Sequence, residues 1–379
     1  MSEAAAGDFH VDGWVHAVGG FVCRHRSWWI RLGNLETRLL ADEIARTEIR
    51  APIYVAGLAR SGTTVLLEIL DAHPHTTAHR YSDYPLLYIP YLWNRFLQRV
   101  PQRRMAPVER SHGDRIMITP ESPEAFEEVL WMSFFPNLHD PRTSEVLDGN
   151  TRHPQFEQFY RDHVRKLLAV RGAERYVSKG NYNVTRLEYL LALFPDARFV
   201  IPVRDPVWHV ASLMKQHRLF CARTRDNPKA RTHLRRVGHF EFGPDRRPIN
   251  AGDTECVQAI CAHFAAGRDI EGWALYWNHL YGYLADRLEQ DERLREAALV
   301  VHYEALCSDP RGILRQVLEH CRLAEVPEHI ERAAARVRFP DYYQPPFTRH
   351  ERTLIERLTA ATAARLAARP KQSGVSQIL

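Results

Sequence analysis

The sequence predicts an α/β fold in three layers, a central parallel sheet with helices on both faces. Three observations carry this expectation. Short strand-like runs at 53–56, 175–178, 198–203 and 298–303 alternate with segments whose apolar residues recur at helical spacing. Such alternation is the signature of parallel strands joined by helical crossovers, and the run at 198–203 is apolar enough to be buried. The composition, 45% hydrophobic and 26% charged over 379 residues, supplies a full core and excludes global disorder.

Taken in order, Trp28, Leu32, Leu35, Leu39, Leu40 and Ile44 recur at helical spacing around Gly33-Asn34, so residues 1–50 read as a helical N-terminal arm. Pro52 opens the first strand, which ends at Gly57, and after Ser61-Gly62-Thr63-Thr64 a helix starts at Val65. The second strand leads into a helix over 186–194. The third ends at Arg204-Asp205-Pro206 before a helix over 207–216, and the fourth precedes a helix over 311–323. The main domain spans 51–355, followed by a C-terminal helix and tail, 356–379. Two stretches read as insertions. Residues 75–150 are rich in aromatics, prolines and arginines, and within 218–250 the segment 218–247 carries nine Lys or Arg against three acidic residues.

No run approaches the ~18 apolar residues of a membrane-spanning helix, and residues 1–10 lack the apolar core of a secretory signal. Cys23, Cys221, Cys256, Cys261, Cys307 and Cys321 show neither paired nor metal-knuckle spacing, which reads as reduced thiols in a cytoplasmic protein with no metal site. The 51 Lys and Arg against 46 Asp and Glu leave a net charge of +5. Bulk charge of this size excludes a nucleic-acid coat, so any anion site is local. Only five of those cations are lysines, and arginine suits forked recognition of anions.

Residues 57–64 have the strand, glycine loop and helix context in which backbone N–H groups cradle a phosphate. The phosphate loop of ATPases and GTPases needs a lysine where Thr63 stands, which disfavours those enzymes. Instead Ala59-Arg60-Ser61-Gly62-Thr63-Thr64 resembles the P-[KR]-S-G-T-T loop of the sulfotransferase superfamily, with alanine for the usual proline. A second segment, 199–212, is similar to that family's 3′-phosphate-binding segment, a strand ending in Arg204 with Ser212 eight residues on. Arg204 at a strand end can fork to a phosphate and Ser212 can add a hydroxyl. A third, 301–306, resembles the family's Y-E-[DA]-L segment; it implies Tyr303 beside the adenine, the alternative being a core tyrosine. Lys179 in Ser178-Lys179-Gly180-Asn181 matches an S-K-x-[PN] segment and contacts either the sulfonate or only its neighbours.

The resemblance implies a sulfotransferase fold related to the P-loop NTPases. It implies transfer of a sulfuryl group from 3′-phosphoadenosine 5′-phosphosulfate to a hydroxyl or amine by in-line displacement, releasing 3′,5′-adenosine bisphosphate. Arg60, Ser61, Gly62, Thr63 and Thr64 would hold the 5′-phosphosulfate, Arg204 and Ser212 the 3′-phosphate, and Arg60 would also serve catalysis. No divalent metal is needed on this reading. In arginine-type members a glutamate follows the loop by about twenty residues, but residues 79–83 here contain none. The segment 121–128 resembles the S-x-[ST]-F-E-E segment of heparan-type enzymes and makes Glu128 the candidate base. His112, with Asp114 to orient it, is the second candidate and Asp83 the third. The aromatic run 81–96 either lines a phenolic or lipid-like pocket or is core, and the cationic stretch either holds an acidic glycan or peptide or is solvated. A homodimer is compatible with the sequence. Two rival readings are a P-loop nucleoside or nucleotide kinase, which would bind ATP-Mg²⁺, and a catalytically silent nucleotide-binding scaffold.

Overall fold

A computed structural model describes residues 9–100, 106–110, 112–113, 116–339 and 344–368. Its strands are β1 (Ile53–Ala56), β2 (Thr76–Thr77), β3 (Val108–Glu109), β4 (Met117–Ile118), β5 (Arg175–Gly180), β6 (Arg198–Val203) and β7 (Ala298–His302). Five form one parallel sheet in the order β2-β5-β1-β6-β7, and β3 and β4 pair as a separate antiparallel ribbon. The register sets Val55 beside Lys179 and Ala56 beside Gly180, with β6 on the other side of β1. The C-terminal ends of β5, β1 and β6 therefore lie side by side, at the edge where open parallel sheets place their ligands.

Side chains alternate along β1, and each face is covered. Tyr54 and Ala56 join Phe199 and Ile201 in a core completed by Trp131, Phe156, Trp273, Trp277 and Leu280. Ile53 and Val55 join Val177 and Val200 against Leu66, Leu67, Leu70, Leu314 and Val317. Burial of both faces explains why these strands lack polar alternation. The helix after β6 runs over Pro206–Thr224, longer than its apolar pattern suggested, with Pro206 in its first turn and Asp205 capping the Trp208 N–H at 3.1 Å. Tyr303 opens the Tyr303–Ser308 helix instead of ending β7. The boundary expected at 355/356 falls inside the Arg349–Ala367 helix, whose Ile355 and Leu366 belong to the first core.

The arm is helical, over Gly13–Arg24, Arg26–Leu39 and Ala41–Arg46, but its apolar stripe is only partly inward: Ile44 is buried and Leu32 packs on the core, whereas the rest of the stripe is half-buried or exposed. Trp28, Leu35 and Leu39 are 50%, 42% and 70% exposed. Other buried positions include Val22, Trp29, Gly33 and Glu36, packed near Tyr84, Leu87 and Tyr88 of the following insertion and Phe159 of the Pro154–Arg171 helix. Glu36 pairs there with buried Lys166 at 2.9 Å, a partner no helical periodicity could announce. The six cysteines are free thiols, and no described helix is long and apolar enough to cross a membrane.

Candidate active site

Between β1 and the Thr63–Asp71 helix the chain turns through the glycine loop. Gly62 has φ +107°, and a Cβ there would sit 2.7 Å from the Tyr303 ring, so only glycine lets that ring lie over the loop. Arg60 also takes a left-handed φ, +74°. The helix has no side-chain cap, leaving its first-turn amides directed at the loop. From behind, the loop is pinned by His209. The Trp277 indole N–H donates to His209 Nδ1 (3.2 Å), so the ring proton is on Nε2 and donates to the Ala59 carbonyl (2.8 Å). Burial lowers the pKa of His209 to about 3, which keeps this ring neutral. Sequence reasoning missed His209, since nothing local distinguishes it among the chain's 20 histidines.

The structure brings the two sequence anchors together. Arg60 Nε donates to Ser212 Oγ at 3.4 Å, across 152 residues of chain. Arg204 is 5% exposed at the end of β6, with its guanidinium 5.3 Å from the centroid of the Tyr303 ring and 6.0 Å from that of Trp208. Thr64 Oγ1 accepts from Arg110 Nη1 at 3.2 Å. Arg60, Thr63, Thr64 and Lys179 all line one cavity of about 780 Å³.

Lys179, Glu124 and Glu241 line the same cavity and influence one another's charge. Burial lowers the pKa of Lys179, with Glu124 and Glu241 opposing that shift. Burial would raise the Glu124 carboxyl, but Lys179, N–H and O–H donors from Ala125 and Tyr81, and Arg110 hold it below its ordinary value. Glu241 accepts from Asn181 Nδ2 at 2.6 Å and lies 3.0 Å from His239 Nδ1.

A family model described as the sulfotransferase family matches residues 52–240, a stretch that includes the loop, Lys179, Arg204 and Ser212. The chain belongs to the sulfotransferase family. Among solved structures it is similar to sulfotransferase STF9 from Mycobacterium avium, with 18% identity, 87% of this chain and 80% of that chain covered, and a TM-score of 0.48. It is also similar to sulfotransferase STF1 from Mycobacterium tuberculosis, with 16% identity, 95% and 88% covered, and a TM-score of 0.46. A sulfotransferase from Alicyclobacillus acidocaldarius has 16% identity, 85% and 96% covered, and a TM-score of 0.41. No curated protein matches the chain at a significant level.

The base candidates of this sulfotransferase separate by environment. Glu128 borders the cavity, but both its oxygens are taken. Arg186 forks to them at 2.8 and 2.9 Å, and His139 Nε2 lies 2.7 Å from Oε1. Burial would raise this carboxyl, yet Arg186 and His139 outweigh it and hold the pKa at about 2. A carboxylate so engaged is a structural ion pair and does not fit the role of base expected for it. His112 lines the cavity with its ring 5.1 Å from Phe220 and 5.6 Å from His239; its expected orienter Asp114 lies outside the described residues. Asp83 is buried and forked by Arg171, away from the cavity lining. Among the described residues Asp253, Cys256 and His279 bring metal-ligating atoms within 4.8 Å of one another. There Asp253 caps the Cys256 N–H (2.9 Å) and His279 Nε2 accepts from the Ala251 N–H (3.1 Å).

The Glu128 pair gives a stability prediction. Its depressed pKa contributes stability that is complete above the ordinary value of 4.5 and is lost as pH falls through about 2. Glu128→Gln leaves Arg186 buried and half-partnered, so it should lower unfolding free energy at pH 7 by about 3–5 kcal/mol and flatten the acid limb. Thermal unfolding across pH measures both. An unchanged melting temperature with lost turnover would return Glu128 to catalysis.

Proposed function

We propose that the protein transfers a sulfuryl group from 3′-phosphoadenosine 5′-phosphosulfate to an acceptor hydroxyl or amine. The observation that carries this reading is the convergence of Arg60 with Ser212, and of Arg204 with Tyr303 above Gly62, at the C-terminal edge of the sheet. These residues fit a bisphosphorylated nucleotide: two separate arginines, a hydroxyl, free helix amides, and a ring that tolerates only glycine beneath it. Ser61, Thr63 and Thr64 with the loop amides would take the 5′-phosphate side, Arg204 and Ser212 the 3′-phosphate, and Tyr303 the base. The donor supplies an activated sulfuryl group whose leaving group is a phosphate oxygen.

In this mechanism Glu124 takes the proton of the acceptor as its oxygen or nitrogen bonds to sulfur. Arg60 and the loop amides neutralise charge arriving on the 5′-phosphate oxygen as its bond to sulfur breaks, and Lys179 orients the sulfonate between them. Glu124 replaces Glu128 as the proposed base because, although both line the cavity, Glu124 is held ionised near Lys179 with its oxygens met by Tyr81 and Ala125 and by no arginine fork. A kinase reading finds no lysine at Thr63 and is not favoured.

Calorimetric titration with 3′,5′-adenosine bisphosphate beside 5′-AMP and ATP-Mg²⁺ tests the donor site. Micromolar binding that depends on the 3′-phosphate is expected, whereas preference for ATP-Mg²⁺ would discard the reading. In the same titration Arg204→Ala should weaken the bisphosphate by roughly 10- to 100-fold, the worth of one charge-assisted hydrogen bond, and leave 5′-AMP almost unchanged. Equal weakening of both nucleotides would take Arg204 off the 3′-phosphate.

A further inference from the structure

We infer that the acceptor is an uncharged amphiphile, a single hydroxyl on an apolar body. This rests on the transfer reaction proposed above and names the acceptor class of that site. Three observations converge on it. First, the charged lining of the cavity is mostly acidic, Asp12, Glu109, Glu124, Glu127, Glu128 and Glu241 against Arg60, Arg110 and Lys179, and aromatic and aliphatic side chains make up much of the remaining wall. Tyr84 stacks on Phe126 with centroids 5.4 Å apart, and Trp93 and Leu97 line the same space. Two carboxylates beside the reacting hydroxyl disfavour an anionic acceptor there.

Second, five of the nine cations in the stretch expected to hold an acidic glycan or peptide are engaged within the fold. Arg231 and Arg235 both fork to Asp245, Arg236 donates to the His16 carbonyl (2.7 Å), and Arg247 donates to the His139 carbonyl (2.9 Å). Arg246 lies flat on Phe264 with its guanidinium carbon 3.5 Å from the ring centroid. Third, Trp14 and Val108 line the cavity yet are 54% and 55% exposed, so apolar side chains stand at its rim beside the exposed His10, Asp12 and Glu109. A rim of this kind loses contact with water when an apolar body lies across it. The cavity volume is in the range of sites that bury most of a small molecule.

The test measures kcat/KM for sulfuryl transfer to phenol, 4-butylphenol and 4-octylphenol, beside glucose and a tyrosine-containing acidic peptide, together with bisphosphate binding by the same protein. Transfer to the alkylphenols should rise about threefold per methylene over the first few methylenes, with glucose and the peptide at least about 100-fold poorer. Leu97→Gln, on a partly exposed position of the Pro90–Arg99 helix, should flatten the chain-length dependence. Bisphosphate binding with no chain-length dependence, or with the peptide preferred, overturns the acceptor class and leaves the donor reading standing. Absence of bisphosphate binding overturns the donor reading and this inference with it.

Discussion

Arg60→Ala should reduce turnover by about 10²- to 10³-fold while raising the dissociation constant for 3′,5′-adenosine bisphosphate less than about tenfold. The asymmetry follows from when the guanidinium is needed. In the proposed reaction bound nucleotide would already meet the loop amides, Arg204 and Ser212, whereas the charge that develops on the 5′-phosphate oxygen during transfer would fall to Arg60 and the helix N-terminus. Alanine at this position keeps the same left-handed φ of +74° with a similar steric cost, so the loop backbone itself is not relieved or further strained. Loss of the 3.4 Å bond to Ser212 removes one tie between the two anchors, which accounts for the smaller binding effect. Single-turnover kinetics with an alkylphenol acceptor, set beside calorimetry, separate the two quantities. Equal losses of binding and turnover would contradict the transition-state role.

Glu124→Gln should lower turnover by about 10²- to 10⁴-fold with little change in bisphosphate affinity, because the amide keeps the shape of the carboxylate but cannot take the acceptor proton. The pH profile sharpens the test. Burial raises and Lys179 lowers the Glu124 pKa, with the net shift downward, so wild-type turnover should hold across neutral pH and fall only below the ordinary carboxylate range. The variant should lose that acid limb. Turnover of Glu124→Gln within threefold of wild type, with the limb intact, would assign the proton to another group, His112 or the Glu241 and His239 pair being next in the cavity.

These two residues differ in how far the sequence announces them. The loop is local information. A strand, a glycine that must take positive φ and a helix start lie within a dozen residues, and a single arginine stands where the turn presents it. Arg204 is equally legible, since a strand that ends in Arg-Asp-Pro places its last side chain at the sheet edge, and Asp-Pro starts the next helix. It is the resemblance of these segments, in this order along the chain, to those of the sulfotransferase superfamily that pointed to the family from sequence.

Glu124, Glu127 and Glu128 show where that legibility stops. They lie within five residues of one another and all line the cavity, and their local sequence does not say which is left outside a buried network. Glu127 is taken by the hydroxyls of Tyr160, Tyr176 and Ser178, and Glu128 by Arg186, partners 33 to 58 residues further along the chain. Glu124 meets Lys179 at the end of β5. The N-terminal arm repeats the lesson: its helices were readable from spacing, but which stripe is buried was set by Tyr84, Tyr88 and Lys166 in elements packed against it. The strands of the sheet, the glycine loop and the strand-end arginine were legible along the chain, because strand and turn conformations leave local signals, whereas the order β2-β5-β1-β6-β7 came from the fold. Folding alone assigns which carboxylate is held ionised near Lys179 and which is spent on a buried arginine, because a carboxylate's charge and reach depend on neighbours brought together from distant parts of the chain.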